Sequence, residues 1–170
     1  MLTKNFYAYI KSVFSGSDTV ATFTMTNGTT STVAVNANYP PFKVMNGWSK
    51  SATITGVSFG TGTTPATVSD YFLESILGDT QIRVSVPSSI SFNKLDTYEE
   101  YTVTFGVTNK TADAIAISEI GLTAMPYSPY GGNNQYALVD RTVLDTPVTI
   151  PAGQSKQITY TIRFNYGDAV

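Results

Sequence analysis

DTPVTIPAGQSKQITYTIRFNY, residues 145–166, decides the fold class. Pro151-Ala152-Gly153 turns the chain, and from there side chains alternate strictly. Ile158, Tyr160, Ile162, Phe164 and Tyr166 fall on one side; Thr159, Thr161, Arg163 and Asn165 fall on the other. A period of two is the signature of a strand, because successive Cβ atoms leave opposite faces. One greasy face and one wet face describe an antiparallel sheet buried on one side only. Apolar runs on both sides of the turn predict that the stretch closes on itself as a hairpin.

The same period recurs upstream. Ala21, Phe23 and Met25 alternate with Thr, TNGT follows at 26–29, and Val33 and Val35 resume the pattern. Asn-Gly between alternating runs predicts another hairpin. Further strands are predicted at 52–59, 81–86, 90–93, 101–109 and 136–144, with 114–124 pairing back on 101–109 after the polar turn NKTAD. In 101–109 the residues Tyr101, Val103, Phe105 and Val107 share one face. Thr and Ser make up about a quarter of the chain, and Val, Ile, Tyr and Phe are plentiful, all types that suit a pleated surface. Eight to ten short strands without a βαβ rhythm predict an all-β protein. Its expected form is an antiparallel β-sandwich, jelly-roll-like or immunoglobulin-like, over 17–170.

Residues 1–16 read as an N-terminal helix or arm. Phe6, Ile10, Val13 and Phe14 share a helical face over 3–14, Thr3 caps it and Gly16 stops it. Such an arm either covers the open end of its own core or docks on a neighbour. The second role makes Phe6, Tyr7, Ile10 and Phe14 candidate contacts. The loop at 37–50 is stiffened by Tyr39-Pro40-Pro41, and Trp48 is expected to plug a sheet end.

Chemistry is restricted by what is missing. The 170 residues include no cysteine and no histidine, which removes thiolate and imidazole nucleophiles, bases and metal ligands together. Only 13% of residues are charged, net charge is −2, and the basic residues stand singly, so no nucleic-acid partner is expected. No window is apolar over the length of a bilayer, and no secretory signal opens the chain, so no membrane partner is expected either. Asn27-Gly28-Thr29 and Asn109-Lys110-Thr111 match the glycosylation sequon by coincidence in a Thr-rich chain.

FGTGTTPATVSDYFLES (59–75) invites comparison with a phosphate loop. No lysine follows Gly60 or Gly62, and Pro65 stands where a dinucleotide fingerprint needs its third glycine. The stretch therefore reads as a tight strand exit through Gly60 and Gly62. Ser69-Asp70 is expected to open one helical turn that seats Tyr71, Phe72 and Leu73. Glu99, Glu100, Glu119, Asp140 and Asp145 are the acids a glycosidase-like site could draw on. Nothing in their spacing makes them converge, and pairing or solvation is the expected fate of each. In particular, Asp140 and Arg141 are strand neighbours and face opposite sides. PYGGNNQY carries amides without a carboxylate, so no calcium loop is expected. No catalytic residue, metal or cofactor is predicted.

MPYSPYGGNNQY (125–136) is the richest non-core stretch. Tyr127, Tyr130, Asn133, Asn134 and Tyr136 are candidate contacts, to another chain or to a glycan.

Three blocks, in order, carry a resemblance. VSFGTGTTPATVSDYFLES, TVTFGVTNKTADAIAISEIGL and LVDRTVLDTPVTIPAGQSKQITYTIRF together resemble a group of small virion structural proteins of tailed bacteriophages, over Val57 to Phe164. The resemblance implies assembly without catalysis: a multi-copy capsid accessory or decoration protein, a homo-oligomer located in the virion. Its partners would be other virion proteins, namely major capsid, portal or neck, and tail proteins. A neck, tail or baseplate component is the alternative within that class. A carbohydrate-binding module or adhesin-type domain using the tyrosine loop is the alternative outside it, and a glycosidase-like enzyme is the third reading.

Overall fold

Alternation becomes strand wherever the chain can bury one side of it. The computed structural model describes residues 1–8, 19–35, 56–85, 89–95, 97–124 and 137–165. Within them lie one short helix, α1 (residues 4–8), and nine strands. The strands are β1 (Thr19–Thr24), β2 (Thr30–Val35), β3 (Gly56–Gly60), β4 (Ile82–Val84), β5 (Ser89–Lys94), β6 (Tyr98–Asn109), β7 (Ile115–Ala124), β8 (Ala137–Ile150) and β9 (Ser155–Asn165). Every pairing is antiparallel, so the protein is all-β.

β1 and β2 form the predicted hairpin, closed by the pair Thr24↔Thr30. Its turn needs Gly28, whose φ of +81° lies in the left-handed region. Asn27 Oδ1 accepts from Thr29 N at 3.0 Å and so braces the same turn. Phe23 and Met25 bury against Ala137 in a small core of their own.

The remaining strands form two sheets. One runs β3-β7-β8. In the other, β6 is central: β9 pairs along it from Tyr98 to Thr108, and β4 and β5 pair with it at 107–109 and 99–104. Backbone parity separates the two edges of β6. Odd-numbered Asn109 donates its N–H to Gln154 on the β9 side, whereas even-numbered Gly106 accepts from Ser85 and Lys110 donates to Gln81 on the β4 side. β4 and β5 therefore share one edge end to end.

Both sheets feed a single apolar cluster. Val57, Phe59, Ile117, Ile120, Leu122 and Ile150 come from the first; Ile82, Val103, Phe105, Val107, Ile158 and Ile162 come from the second. Phe59, wholly buried, meets Phe105 edge-on across the core at 6.5 Å between ring centroids.

Two predicted pairings are corrected. β8 and β9 do not form a hairpin across Pro151-Ala152-Gly153, since β8 pairs with β7 and β9 with β6. Nor does 114–124 pair back on 101–109, since β7 lies between β3 and β8. Both turns carry the chain from one sheet to the other. The physical reason is that alternation marks which residues face the core, and residues on two different sheets can face the same core. The two crossing turns are tied together by Asn109, which is fully buried: its Nδ2 donates to Asp113 O at 2.7 Å and Ile150 O at 2.9 Å. The sequon at 109–111 is thus spent on structure. β8 also runs past residue 144, because Pro147 sits at an exposed position of an outer strand where a missing N–H costs nothing.

Residues 1–8 dock on their own domain. Thr3 N donates to Val139 O, Leu2 bridges Asp140, and Phe6 is buried in the main core, where it stacks on Phe164. These eight residues thus cover part of their own core. The rest of the expected helix, the 37–50 loop with Trp48, and the tyrosine loop lie outside the described residues.

Candidate functional site

The loop between β3 and β4 does cradle an anion, and the anion is the chain's own Glu119. This side chain on β7 has no solvent exposure at all. Its Oε1 accepts from Gly62 N at 3.1 Å and Ser75 N at 2.7 Å; its Oε2 accepts from Glu74 N at 3.1 Å and from Arg141 Nε at 2.9 Å. Three backbone donors and a guanidinium satisfy one carboxylate, the condition under which a buried charge is tolerated.

At the strand exit the two glycines serve through the missing Cβ and not through φ. Neither Gly60 nor Gly62 has positive φ. A Cβ on Gly60 would stand 2.4 Å from Glu119 Oε1 and 2.6 Å from Ser75 O; on Gly62 it would stand 2.6 Å from Glu119 Oε1. Close approach of the carboxylate, and no conformational demand, excludes a side chain at both positions.

Arg141 on β8 completes the clamp from the next strand. Its Nη1 donates to Asp70 Oδ2 at 2.8 Å, and its Nη2 lies 3.6 Å from Glu74 Oε2 without a hydrogen-bond partner among the described residues. Burial alone would lower the pKa of this guanidinium, but hydrogen bonds to Asp70 and Glu119 outweigh it and raise it. Burial by itself raises the Asp70 carboxyl; the bonds it accepts from Arg141 and Thr67 win, and it sits below its ordinary value. Glu74 is also held low, first by Thr64 N and then by Thr64 Oγ1.

Asp140, the other half of the neighbouring pair, faces the opposite way, as strand alternation requires. It accepts from Tyr160 Oη on the second sheet, and the Met1 α-nitrogen lies 3.1 Å away. Burial first, then the Asp140 charge, pushes the Tyr160 hydroxyl well above its usual range.

A pH prediction follows from Asp70 and Glu74. Their folded pKa values lie below the unfolded ones, so the unfolded chain binds more protons as the medium acidifies. Their stabilisation is complete above the ordinary carboxylate range of about 3.9–4.3 and is lost as pH falls through the lower folded values. Urea midpoints measured from pH 6 downward are expected to fall through that window. In Asp70→Asn the fall is expected to be shallower; an unchanged slope would contradict the assignment.

No helical turn runs on from Ser69-Asp70 into Tyr71, Phe72 and Leu73; a single turn closes just ahead, with Thr67 O accepting from Asp70 N at 3.2 Å and the Asp70 carboxylate accepting from Thr67 N and Oγ1 at 2.9 and 2.7 Å. Only Leu73 seats in the interior. Tyr71 is half-buried, and Phe72 is 44% exposed. Val68 and Ile76 on the same loop are exposed as well. A shallow pocket of about 240 Å³ opens between Tyr71, Phe72 and the Asp70–Glu74–Arg141 charges. Its acids and its guanidinium are already bonded to one another and to backbone. Among the described residues no group of acids is arranged to hold a metal ion, and no helix is long and apolar enough to cross a membrane.

This apolar loop surface escaped the sequence reading. The available signal was three consecutive large residues, Tyr71-Phe72-Leu73, not all of which one short loop can bury. Of the predicted contact residues, Phe6 is buried in its own core, whereas Tyr7 is 56% exposed and packs edge-on against Phe6. Ile10, Phe14, Tyr127, Tyr130, Asn133, Asn134 and Tyr136 lie outside the described residues. Compared with family models, curated proteins and solved structures, the chain matches none of them.

Proposed function

We propose that the chain is a non-enzymatic structural protein of a tailed-phage virion, present in several copies as a capsid accessory or decoration protein. A neck, tail or baseplate position is the variant within this reading. The body is read as a β-sandwich, supported by one apolar core fed from two antiparallel sheets. The observation that carries the functional reading is the convergence of the three resembling blocks. Gly60, Gly62, Leu73 and Glu74 from the first, Glu119 and Gly121 from the second, and Arg141 from the third meet in one clamp. Its charges bond the loop backbone at Gly62, Glu74 and Ser75, and Val68, Phe72 and Ile76 of the same loop are exposed. Rigid presentation of apolar side chains suits contact with another protein better than chemistry.

The test is incorporation into particles. Virions from a host carrying the gene are expected to contain the chain, and a particle map is expected to bury residues 1–14, 61–76 or 126–136. Phe72→Ser should cost about 1–2 kcal/mol through the packing lost on Tyr71, 4.6 Å away between ring centroids, which leaves the fold intact, yet reduce incorporation. Absence of the chain from purified virions, or a map in which none of the three segments touches a neighbouring chain, would reject the reading.

A further inference from the structure

Sheet edges are templates for another strand unless something blunts them. In the two larger sheets three edges are blunted. The outer edge of β3 is covered by the chain itself: Leu77 N donates to Phe59 O, Thr61 N to Ser75 O, and Ile76 bridges Gly60. The outer edge of β8 is covered at 139–141 by residues 1–3 and carries Pro147 further on. The edge shared by β4 and β5 is broken into three- and six-residue pieces. β9 differs from all of these. It is 11 residues long, pairs with β6 without a register shift, contains no proline, and has no strand on its other side among the described residues.

Parity says which groups that edge presents. Even-numbered residues of β9 bond to β6, so Ser155, Gln157, Thr159, Thr161, Arg163 and Asn165 turn N–H and C=O outward. Their side chains lie on the wet face of the sheet and are settled there. Thr161 bonds Thr102, Thr159 bonds Thr104, Ser155 bonds Thr108, and the Arg163 guanidinium sits 2.7 Å from Glu100. Among the outward-turned positions the one charge, Arg163, is paired with Glu100; exposed Lys156, whose backbone bonds to β6, is the strand's other cation.

We infer that β9 pairs antiparallel with β9 of a second copy of this chain, about a two-fold axis beside Tyr160. The sequence is self-complementary in that register. Thr159 meets Thr161 of the second copy, Gln157 meets Arg163, Ser155 meets Asn165, and Lys156 meets Phe164, so no like charges oppose one another. All paired outward positions are odd-numbered, so donors meet acceptors over the full strand. The two β6-centred sheets become one continuous sheet across the axis. A second copy as occupant agrees with the multi-copy reading above, but a failure here would leave incorporation into particles to be decided by its own test.

Thr159→Pro and Thr161→Pro each remove one outward N–H that β6 does not use, and an edge strand tolerates proline at such positions. Light scattering and sedimentation equilibrium on the full chain are expected to give the mass of a dimer, halved in either variant with little change in thermal midpoint. In the wild type, amide exchange at Gln157, Thr159 and Thr161 is expected to be slow and to quicken on dilution; this readout stands even where a proline variant fails to fold. A monomeric wild type, a dimer unmoved by both prolines, or fast exchange at these amides at every concentration overturns the inference.

Discussion

Arg141→Met is expected to cost about 3–5 kcal/mol of unfolding free energy, the range seen when one partner of a buried pair is removed. The size comes from what stays behind. Glu119 has no exposure, and among the described residues its only cationic partner is Arg141 Nε, so the variant leaves a buried carboxylate with the backbone donors alone among those residues. Asp70 loses its guanidinium partner at the same time. Arg141→Lys is not expected to rescue, because one ammonium cannot reach Glu119 and Asp70 with the separate donors that Nε and Nη1 supply. Glu119→Gln should fail for the complementary reason: its NH2 would point donor hydrogens at N–H groups that now find an acceptor. Chemical denaturation with an unchanged m-value checks both. A loss below about 1 kcal/mol in Arg141→Met would mean that water reaches Glu119.

Such a clamp is nearly invisible in sequence. Glu119 bonds Gly62, 57 residues away, and no local period announces a contact of that span. Alternation did mark that Asp140 and Arg141 part to opposite faces, and that Ile158, Tyr160 and Ile162 point inward; all three of these are buried. Alternation is silent on neighbours. Strands on two sheets that feed one core carry the same pattern as two strands of a hairpin, which is why alternation alone predicts that the turn at Pro151-Ala152-Gly153 joins partners. Its Gly153, with φ at +66°, is a turn glycine in the conformational sense. Gly60 and Gly62 look alike on paper and owe their identity to a carboxylate 57 to 59 residues downstream. The distinction between a glycine kept for its φ and one kept for its missing Cβ needs coordinates.

Leu73→Ala carries the second large expectation, about 2–5 kcal/mol, the range for a buried leucine emptied to a cavity. Leu73 is 5% exposed and is the one member of Tyr71-Phe72-Leu73 that enters the interior. It rests on the backbone of β7 at Gly121, where an added Cβ would meet Leu73 Cδ2 at 2.7 Å and Leu138 Cδ1 at 2.9 Å. The pair therefore makes a sharper test than either site alone. Gly121→Ala should cost about 1–3 kcal/mol by overpacking in the wild-type background. In a Leu73→Ala background the first clash is gone, so the same change should cost less, leaving the part due to Leu138. A double-mutant cycle should then show a coupling beyond about 0.5 kcal/mol, the scatter found for independent sites. Additive costs would mean that Leu73 does not sit on Gly121. The loop would then be held by Glu119 and Arg141 alone, and Phe72 and Val68 would lose the apolar anchor that fixes their height above the sheet.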